Sequence, residues 1–298
     1  MFDHLLKIEA LASRVSMWRA LFFVVLGLLV VFASQVDYSR FSFADIAGGA
    51  GGYVARIGIE GTIGRNKDRT ALLSRVEDDS SIKAVVLRID SPGGTVGDSE
   101  ELYRQIRAIA EKKPVVAVMG NVAASGGYMT ALAADHVIAN NGTITGSIGV
   151  LTQYVGVARI AERLGITLKT IKTSELKASM SPLEEMSKNS EDVMHELIKD
   201  FHHFFVSMVA ERRGLSEEEA YKVADGRVYT GAQALQVKLV DELGGEREAL
   251  EWLKSHHNID TEKVVVRDLE YQSRLSLMGG LRMLLESFKQ PLYALLFE

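Results

Sequence analysis

Four short apolar runs, each separated from the next by a helix-length stretch or a small-residue turn, constrain this chain most. They are Val54-Ala-Arg-Ile-Gly-Ile59, Ala84-Val-Val-Leu-Arg-Ile89, Val115-Val-Ala-Val-Met119 and His136-Val-Ile-Ala139. Between the first two, the residues Asp68 to Asp78 place Leu72, Leu73 and Val76 on one helical face. Between the second and third, Leu102, Ile106 and Ile109 do the same in a segment ending near Lys112. Near-continuous apolar strands joined by helices predict βαβ units, and so a parallel sheet covered on both faces. Thr143–Val157 reads as strand and loop, and Thr167-Leu-Lys-Thr-Ile171 as the strand that closes the series.

The third run feeds the most unusual stretch in the chain, Gly120-Asn-Val-Ala-Ala-Ser-Gly-Gly-Tyr-Met-Thr-Ala-Leu-Ala-Ala134. A lone serine, Ser125, stands at a strand-to-helix turn among residues with almost no side chain. Such a turn displays a hydroxyl beside the free backbone N–H groups of a helix N-terminus. Two readings fit it: a nucleophile, or a helix N-cap, the ordinary role of a serine in that position. Upstream, Asp90-Ser-Pro-Gly-Gly94 ends a strand at the carboxyl edge where α/β folds place their sites. Its glycines allow close backbone approach and amides aimed at developing negative charge, though a plain tight turn reads the same way. A phosphate loop is excluded, since no Gly-Lys-Ser/Thr follows.

A serine nucleophile usually borrows a histidine. Of the seven histidines, His4 lies before the apolar N-terminal segment, and His136 opens a strand, a position that favours a structural role. His195, His202 and His203 share a long helix, and His256 and His257 a polar loop. His195-Glu-Leu-Ile-Lys199 lacks the second histidine of a zinc-protease helix. Lysine is the other possible base when it is held neutral. Lys177, in Thr173-Ser-Glu-Leu-Lys-Ala-Ser-Met-Ser-Pro182, is the lysine in the oddest company, although a surface loop lysine is the commoner reading.

Composition narrows the classes. At 298 residues, 47% apolar and 24% charged, the chain is globular in character, and a net charge of −5 offers no basic stripe for nucleic acid. The absence of cysteine removes disulfides, thiol catalysis and cysteine-ligated metal. Residues 20–36 carry no charge and are rich in Leu, Val and Phe. This length is at the short end of a bilayer span, about 17–25 residues. Lys7, Arg14 and Arg19 precede the run, which orients the N-terminus to the cytoplasm. Ala33-Ser-Gln35 is a poor cleavage site, so an uncleaved signal anchor is expected, followed by a Gly-rich linker over 37–52. Beyond Pro182 the chain turns helical, with an apolar stripe through Val193, Leu197, Phe201, Phe204, Phe205 and Met208. Leu215-Ser216 followed by Glu217, Glu218 and Glu219 marks a helix start. Met278, Leu281, Leu284, Leu285 and Phe288 form an apolar amphipathic tail suited to a membrane surface or a partner.

Four motifs occur in order: Ile89-Asp-Ser-Pro-Gly-Gly-Thr-Val96, Asn121-Val-Ala-Ala-Ser-Gly-Gly-Tyr128, Gly142-Thr-Ile-Thr-Gly-Ser-Ile-Gly149, and Leu176-Lys177 with Ser181-Pro182. Together they resemble the short-form signal peptide peptidase A family, membrane-anchored Ser–Lys peptidases of the ClpP/crotonase superfamily, over roughly residues 53–255. The resemblance implies an α/β fold, a ClpP/crotonase-like spiral of βαβ units with a parallel sheet, an N-terminal transmembrane helix and a helical C-terminal part. It implies Ser125 as nucleophile, Lys177 as general base and Ser147 as the residue that orients the lysine. Gly93 and Gly94 would supply one oxyanion donor and Gly126 the other. It implies no cofactor and no metal.

Expected partners are peptide substrates, released signal peptides above all, the membrane, and further copies of the chain in an oligomer that shares active sites between protomers. The expected location is a bacterial inner membrane, with the catalytic domain outside the cytoplasm. Ser174-Glu-Leu-Lys177 departs from the family, which carries glycine and an aromatic before the lysine. The expected layout is a cytoplasmic N-terminus (1–19), the anchor (20–36), the linker (37–52), the peptidase domain (53–258) and a C-terminal extension (259–298). Other classes fit parts of the pattern: a crotonase-fold acyl-CoA enzyme, a Ser-His-Asp peptidase using His136, or a non-catalytic scaffold.

Overall fold

The computed structural model describes residues 52–260 and 264–271. The expected signal anchor, almost all of the linker and the amphipathic tail lie outside the described residues. Among the described residues no helix is long and apolar enough to cross a membrane.

The apolar runs become the centre of one eight-stranded sheet. β1 (Tyr53–Glu60), β2 (Ile82–Ser91) and β3 (Val115–Ala124) lie side by side and parallel. They are linked by α1 (Lys67–Asp78) and α2 (Val96–Ala110). Alternate residues of β2 enter two cores: Val85, Leu87 and Ile89 on one face, Ala84 and Val86 on the other. α1 and α2 cover the first face with Leu72, Leu73, Val76, Leu102, Ile106 and Ile109, as their periodicity predicts. Each such leucine or isoleucine contributes roughly 1.5–3 kcal/mol on burial. α8 (Glu246–His257) covers the second face with Ala249 and Leu253.

β3 is longer than its apolar run, and it forks. Its first half pairs with β4 (His136–Ala139), Val116 opposite His136. Its second half pairs on the same side with β5 (Ile144–Gly146), Ala124 opposite Gly146. β6 (Val228–Thr230) joins β5 antiparallel, and β7 (Glu242–Leu243) joins β4. α3 (Gly126–Ala131) follows β3 directly, and α4 (Ala158–Arg163) sits in the next long connection. α5 (Lys188–Arg213) is the long Phe-bearing helix, followed by α6 (Glu217–Val223) and α7 (Gly231–Gln236). Ser216 and Glu219 form the capping box expected at the start of α6. β8 (Val265–Leu269), within the stretch expected as a C-terminal extension, pairs with β1 and adds an edge strand to the same sheet.

One expected element is absent. Thr167–Ile171 forms no strand. Its apolar residues face outward, Ile171 at 91% exposure, and no neighbouring strand offers a ladder. The surrounding stretch behaves alike: α4 buries no residue, and Leu151, Val155, Leu164 and Leu183 are all exposed.

Candidate active site

The carboxyl ends of β2, β3 and β5 meet at Ser125. Gly120 and Asn121 would break an ordinary strand, and here the Asp90 carboxylate spans the irregularity. It accepts from Val122 N–H at 3.1 Å and from the Asn121 side-chain amide at 3.0 Å. On the other edge, Thr143 donates to Gly120 O and Thr145 to Ala123 O, both at 2.7 Å. With those groups satisfied, the strand continues to Ala124 and turns sharply. Ser125 has φ 53 and ψ −121, a conformation that L-residues rarely adopt and that costs about 1–3 kcal/mol. Its N–H donates to Gly146 O at 2.8 Å, and its carbonyl accepts from Met129 N–H at 2.9 Å. The side chain occupies the N-cap position of α3 but makes no capping hydrogen bond. The ordinary reading of this serine therefore fails on its own geometry: the turn resembles the strained strand-to-helix elbow that exposes a nucleophile.

Glycines close around it because nothing larger fits. A Cβ on Gly93, whose φ is 101, would stand 2.7 Å from Gly126 N and 3.0 Å from Ser125 Cβ. A Cβ on Gly127 would stand 2.5 Å from Ser91 O, and one on Gly126 would overlap the Ser99 hydroxyl. Gly94 forms a parallel bridge with Ile63, in which Gly93 O and Thr95 N–H make the hydrogen bonds. Gly93 N–H donates to Ser91 Oγ at 3.1 Å. The Gly94 N–H is left out of this bridge. Gly126 N–H, at the first residue of α3, has no helical acceptor. A site with free amides on two sides of an uncapped hydroxyl can attack a carbonyl and hold the resulting oxyanion.

Ser147 follows Gly146 at the end of β5 with φ 50, held by its N–H to Arg227 O at 2.8 Å. Lys177 lies in a turn, its N–H on Ser174 O at 3.2 Å, with its side chain exposed. Among the described residues no hydrogen bond joins Lys177 to Ser125 or to Ser147. Within one chain the structure thus brings Ser125, Ser147 and the glycines together, and leaves Lys177 on the surface.

The histidines have other work. His136 contacts Glu242 at 3.1 Å and stacks on Trp252 with ring centroids 4.9 Å apart. It pairs with the start of β3, nine strand residues before Ser125, on the order of 25–30 Å at about 3.3 Å per residue. Within one chain, a Ser-His-Asp arrangement on His136 is therefore excluded by topology. His202 is held by Ala224 O at 2.7 Å, and His203 contacts the Tyr221 hydroxyl at 3.0 Å. Tyr128, two residues into α3, is fully buried and donates to Leu239 O at 2.8 Å. Burial pushes its phenol far above the ordinary range, so it stays neutral and acts as an anchor for the turn.

Three residues near the site escape sequence reasoning: Asp90, Thr145 and Ser99. Asp90 carries a signal in hindsight, a carboxylate at a strand end just before the Ser-Pro-Gly-Gly turn. Ser99, 1% exposed with its hydroxyl unpartnered, carries none, because its contact with Gly126 is made across the fold.

Residues 107–260 match the family model described as Peptidase family S49, a span that includes Ser125, Ser147 and Lys177. A protein from Synechocystis sp. that bears a protease name is 39% identical over 218 residues, covering 73% of this chain and 79% of the relative. An Enterococcus faecium protein named for signal peptide peptidase SppA is 34% identical over 194 residues, covering 65% of this chain and 56% of that protein. Among solved structures, a mutant of the 1510-N membrane-bound stomatin-specific protease shares the fold with a TM-score of 0.52 at 17% identity, covering 75% of this chain and 100% of that one. The chain belongs to peptidase family S49, as a serine-type peptidase of the SppA kind.

Proposed function

We propose that this chain is a Ser–Lys endopeptidase of the ClpP/crotonase type that cleaves apolar peptides, released signal peptides among them, beside a membrane in which residues 20–36 anchor it. The observation that carries this reading is the uncapped, strained Ser125 between the amides of Gly94 and Gly126. Ser125 Oγ attacks the scissile carbonyl carbon while a neutral Lys177 Nζ takes its proton. The carbonyl oxygen becomes an oxyanion, stabilised by N–H donors from the Gly93–Gly94 turn and from Gly126. Gly94 is the freer donor of its pair, since Ser91 Oγ engages Gly93. Collapse breaks the C–N bond, and Lys177 returns the proton to the leaving amine. Water then attacks the acyl-serine by the same route and releases the acid. Ser147 orients the lysine.

The exposed Lys177 and the apolar residues that flank it in sequence, Leu151 to Leu183, support an arrangement in which the lysine of one protomer completes the site of the next. The exposed Leu197 and Phe204 on α5 add apolar surface suited to such a contact.

The test uses the full-length chain in detergent. Wild type cleaves an apolar reporter peptide, while Ser125→Ala and Lys177→Ala each do not. Mixing the two inactive variants restores part of the activity where protomers share sites. Full activity in Lys177→Ala sinks the assignment of the base, and no recovery on mixing sinks the shared site.

A further inference from the structure

Arg69 is an arginine in the first turn of α1, only 7% exposed, and no carboxylate among the described residues pairs with it. One guanidinium nitrogen donates to Gly64 O at 2.9 Å, and Nε is buried with no partner. A buried cation without a counter-ion is costly, so the fold tolerates it best where an anion arrives from outside. Arg69 lines a groove of 880 Å³ between the first turns of α1 and α2. Arg65 and Lys67 line it too, and neither has a hydrogen bond or ion pair among the described residues.

The two helices, of 12 and 15 residues, both open into this groove. Asn66 caps Arg69 N–H and Thr95 caps Asp98 N–H, which leaves the amides of Lys67, Asp68, Val96 and Gly97 without helical acceptors. Two carboxylates also line the groove, and both are engaged. Asp98 accepts from the Thr95 hydroxyl at 2.7 Å. Glu101 accepts from Arg104 at 2.7 Å and from Gln105 at 2.9 Å. The lining holds Arg65, Lys67, Arg69 and Arg104 against Asp98 and Glu101, an excess of two positive charges in a chain whose net charge is −5.

We infer that this groove is a carboxylate-binding subsite for the peptide substrate, with Arg69 as its buried anchor. The inference rests on the peptidase reading for its choice of ligand. Thr95 and Gly97 line the groove, and Thr95 is the residue next to Gly94, so a peptide lying at the Gly93–Gly94 turn is within reach of it. The positive charge of the Arg69 guanidinium and the helix N-terminal amides both favour a carboxylate in the groove. The carboxylate is either the peptide C-terminus or an acidic side chain near the cleaved bond.

Binding, not turnover, tests this. The full-length Ser125→Ala chain in detergent is titrated with one N-acetylated apolar decapeptide in three forms: free acid, C-terminal amide, and amide with one internal glutamate. At least one carboxylate form is expected to bind about tenfold tighter than the plain amide, equivalent to about 1.4 kcal/mol. Which form does so identifies the source of the carboxylate. Arg69→Gln is expected to bring all three to the affinity of the amide. The exposed double variant Arg65→Ala with Lys67→Ala is expected to remove part of the difference, and it serves if Arg69→Gln does not fold. Equal affinities for all three peptides overturn the inference, as does a difference that survives both variants. Inorganic phosphate displacing the plain amide as well as the acid also overturns it. Hydrolysis that persists in Ser125→Ala counts against the proposed nucleophile and leaves the binding comparison to be scored on its own.

Discussion

Ser125 and Ser147 each stand one residue past a registered pair, Ala124 and Gly146, at the ends of two parallel strands, and both have positive φ, 53 and 50. The Ser125 N–H donates to Gly146 O, the residue just before Ser147, so the main chain rather than side-chain packing sets their separation. The proposed nucleophile and the group proposed to orient its base are thereby fixed on adjacent strands before any substrate arrives.

The strain at Ser125 separates stability from activity. Its side chain makes no capping hydrogen bond, so Ser125→Ala is expected to change unfolding free energy by no more than about 0.5 kcal/mol while abolishing peptide hydrolysis. Ser125→Gly is equally inactive but is expected to be more stable by roughly 0.5–2 kcal/mol, because glycine adopts positive φ freely. Denaturant midpoints of the three proteins check this. A Ser125→Gly protein less stable than Ser125→Ala would show that the turn is not strained.

Lys177 and His136 are expected to divide catalysis from structure. Loss of a general base costs about 10²–10⁴ in rate, so Lys177→Ala should lose activity on that scale, with no loss of stability in the single chain, where the side chain is exposed. His136→Ala removes the stack on Trp252 and the Glu242 contact, and is expected to cost about 1 kcal/mol of stability while keeping kcat. Steady-state kinetics beside thermal melts of both variants distinguish the roles. A kcat that falls in His136→Ala with unchanged melting would reverse them.

Period and small-residue turns made much of this visible in the sequence. α1, α2 and the central strands declare themselves through Leu72, Leu102, Val85 and their neighbours, because one local pattern decides both element and face. The extension of β3 through Gly120 and Asn121 does not, because it depends on Asp90, Thr143 and Thr145, distant groups that satisfy a strand made of breakers. Thr167–Ile171 misleads for the converse reason: its composition suits a strand, but no ladder stands beside it. Ser125 reads locally as a helix cap, and its backbone angles and missing capping hydrogen bond remove that reading. Lys177 stands out in sequence by its small, hydroxyl-rich neighbours and by the family resemblance, while its exposed position in a single chain does not mark it from other lysines. The Arg69 groove is invisible in sequence, where Arg65, Lys67 and Arg69 look like a solvated helix start.

The contact between Gly126 and Ser99 makes a compensable defect. Gly126→Ala drives a methyl into the buried Ser99 side chain, and overpacking of this kind costs typically 1–3 kcal/mol. The shift should also displace the amide proposed for the oxyanion, so kcat should fall at least tenfold with little change in KM. Adding Ser99→Gly vacates the space, and the double variant is expected to recover most of the stability and part of kcat. Thermal melts and kinetics of both single variants and the double variant check this. Additive losses in the double variant would show that the two residues are not coupled.

Asp241 predicts how the fold responds to acid. Burial works to raise its carboxyl, but hydrogen bonds from Arg213 at 2.7 and 3.1 Å, the Arg213 charge and the Val137 N–H at 2.8 Å outweigh it. The net effect holds Asp241 below the ordinary carboxylate range. A group depressed on folding contributes stability that is fully present above its unfolded value, about 4, and is lost as pH falls through the folded value. Asp241→Asn leaves the Arg213 side chain, 10% exposed, without its counter-ion and is expected to cost roughly 2–3 kcal/mol at pH 7, less than a fully buried pair because Asp241 retains some solvent. That difference should narrow progressively below about pH 4, as the wild-type carboxyl takes up its proton and the two proteins converge. Urea denaturation of both at pH 7 and pH 3 measures it. A gap of the same size at the two pH values would place the stabilising force in packing rather than in the charge of Asp241.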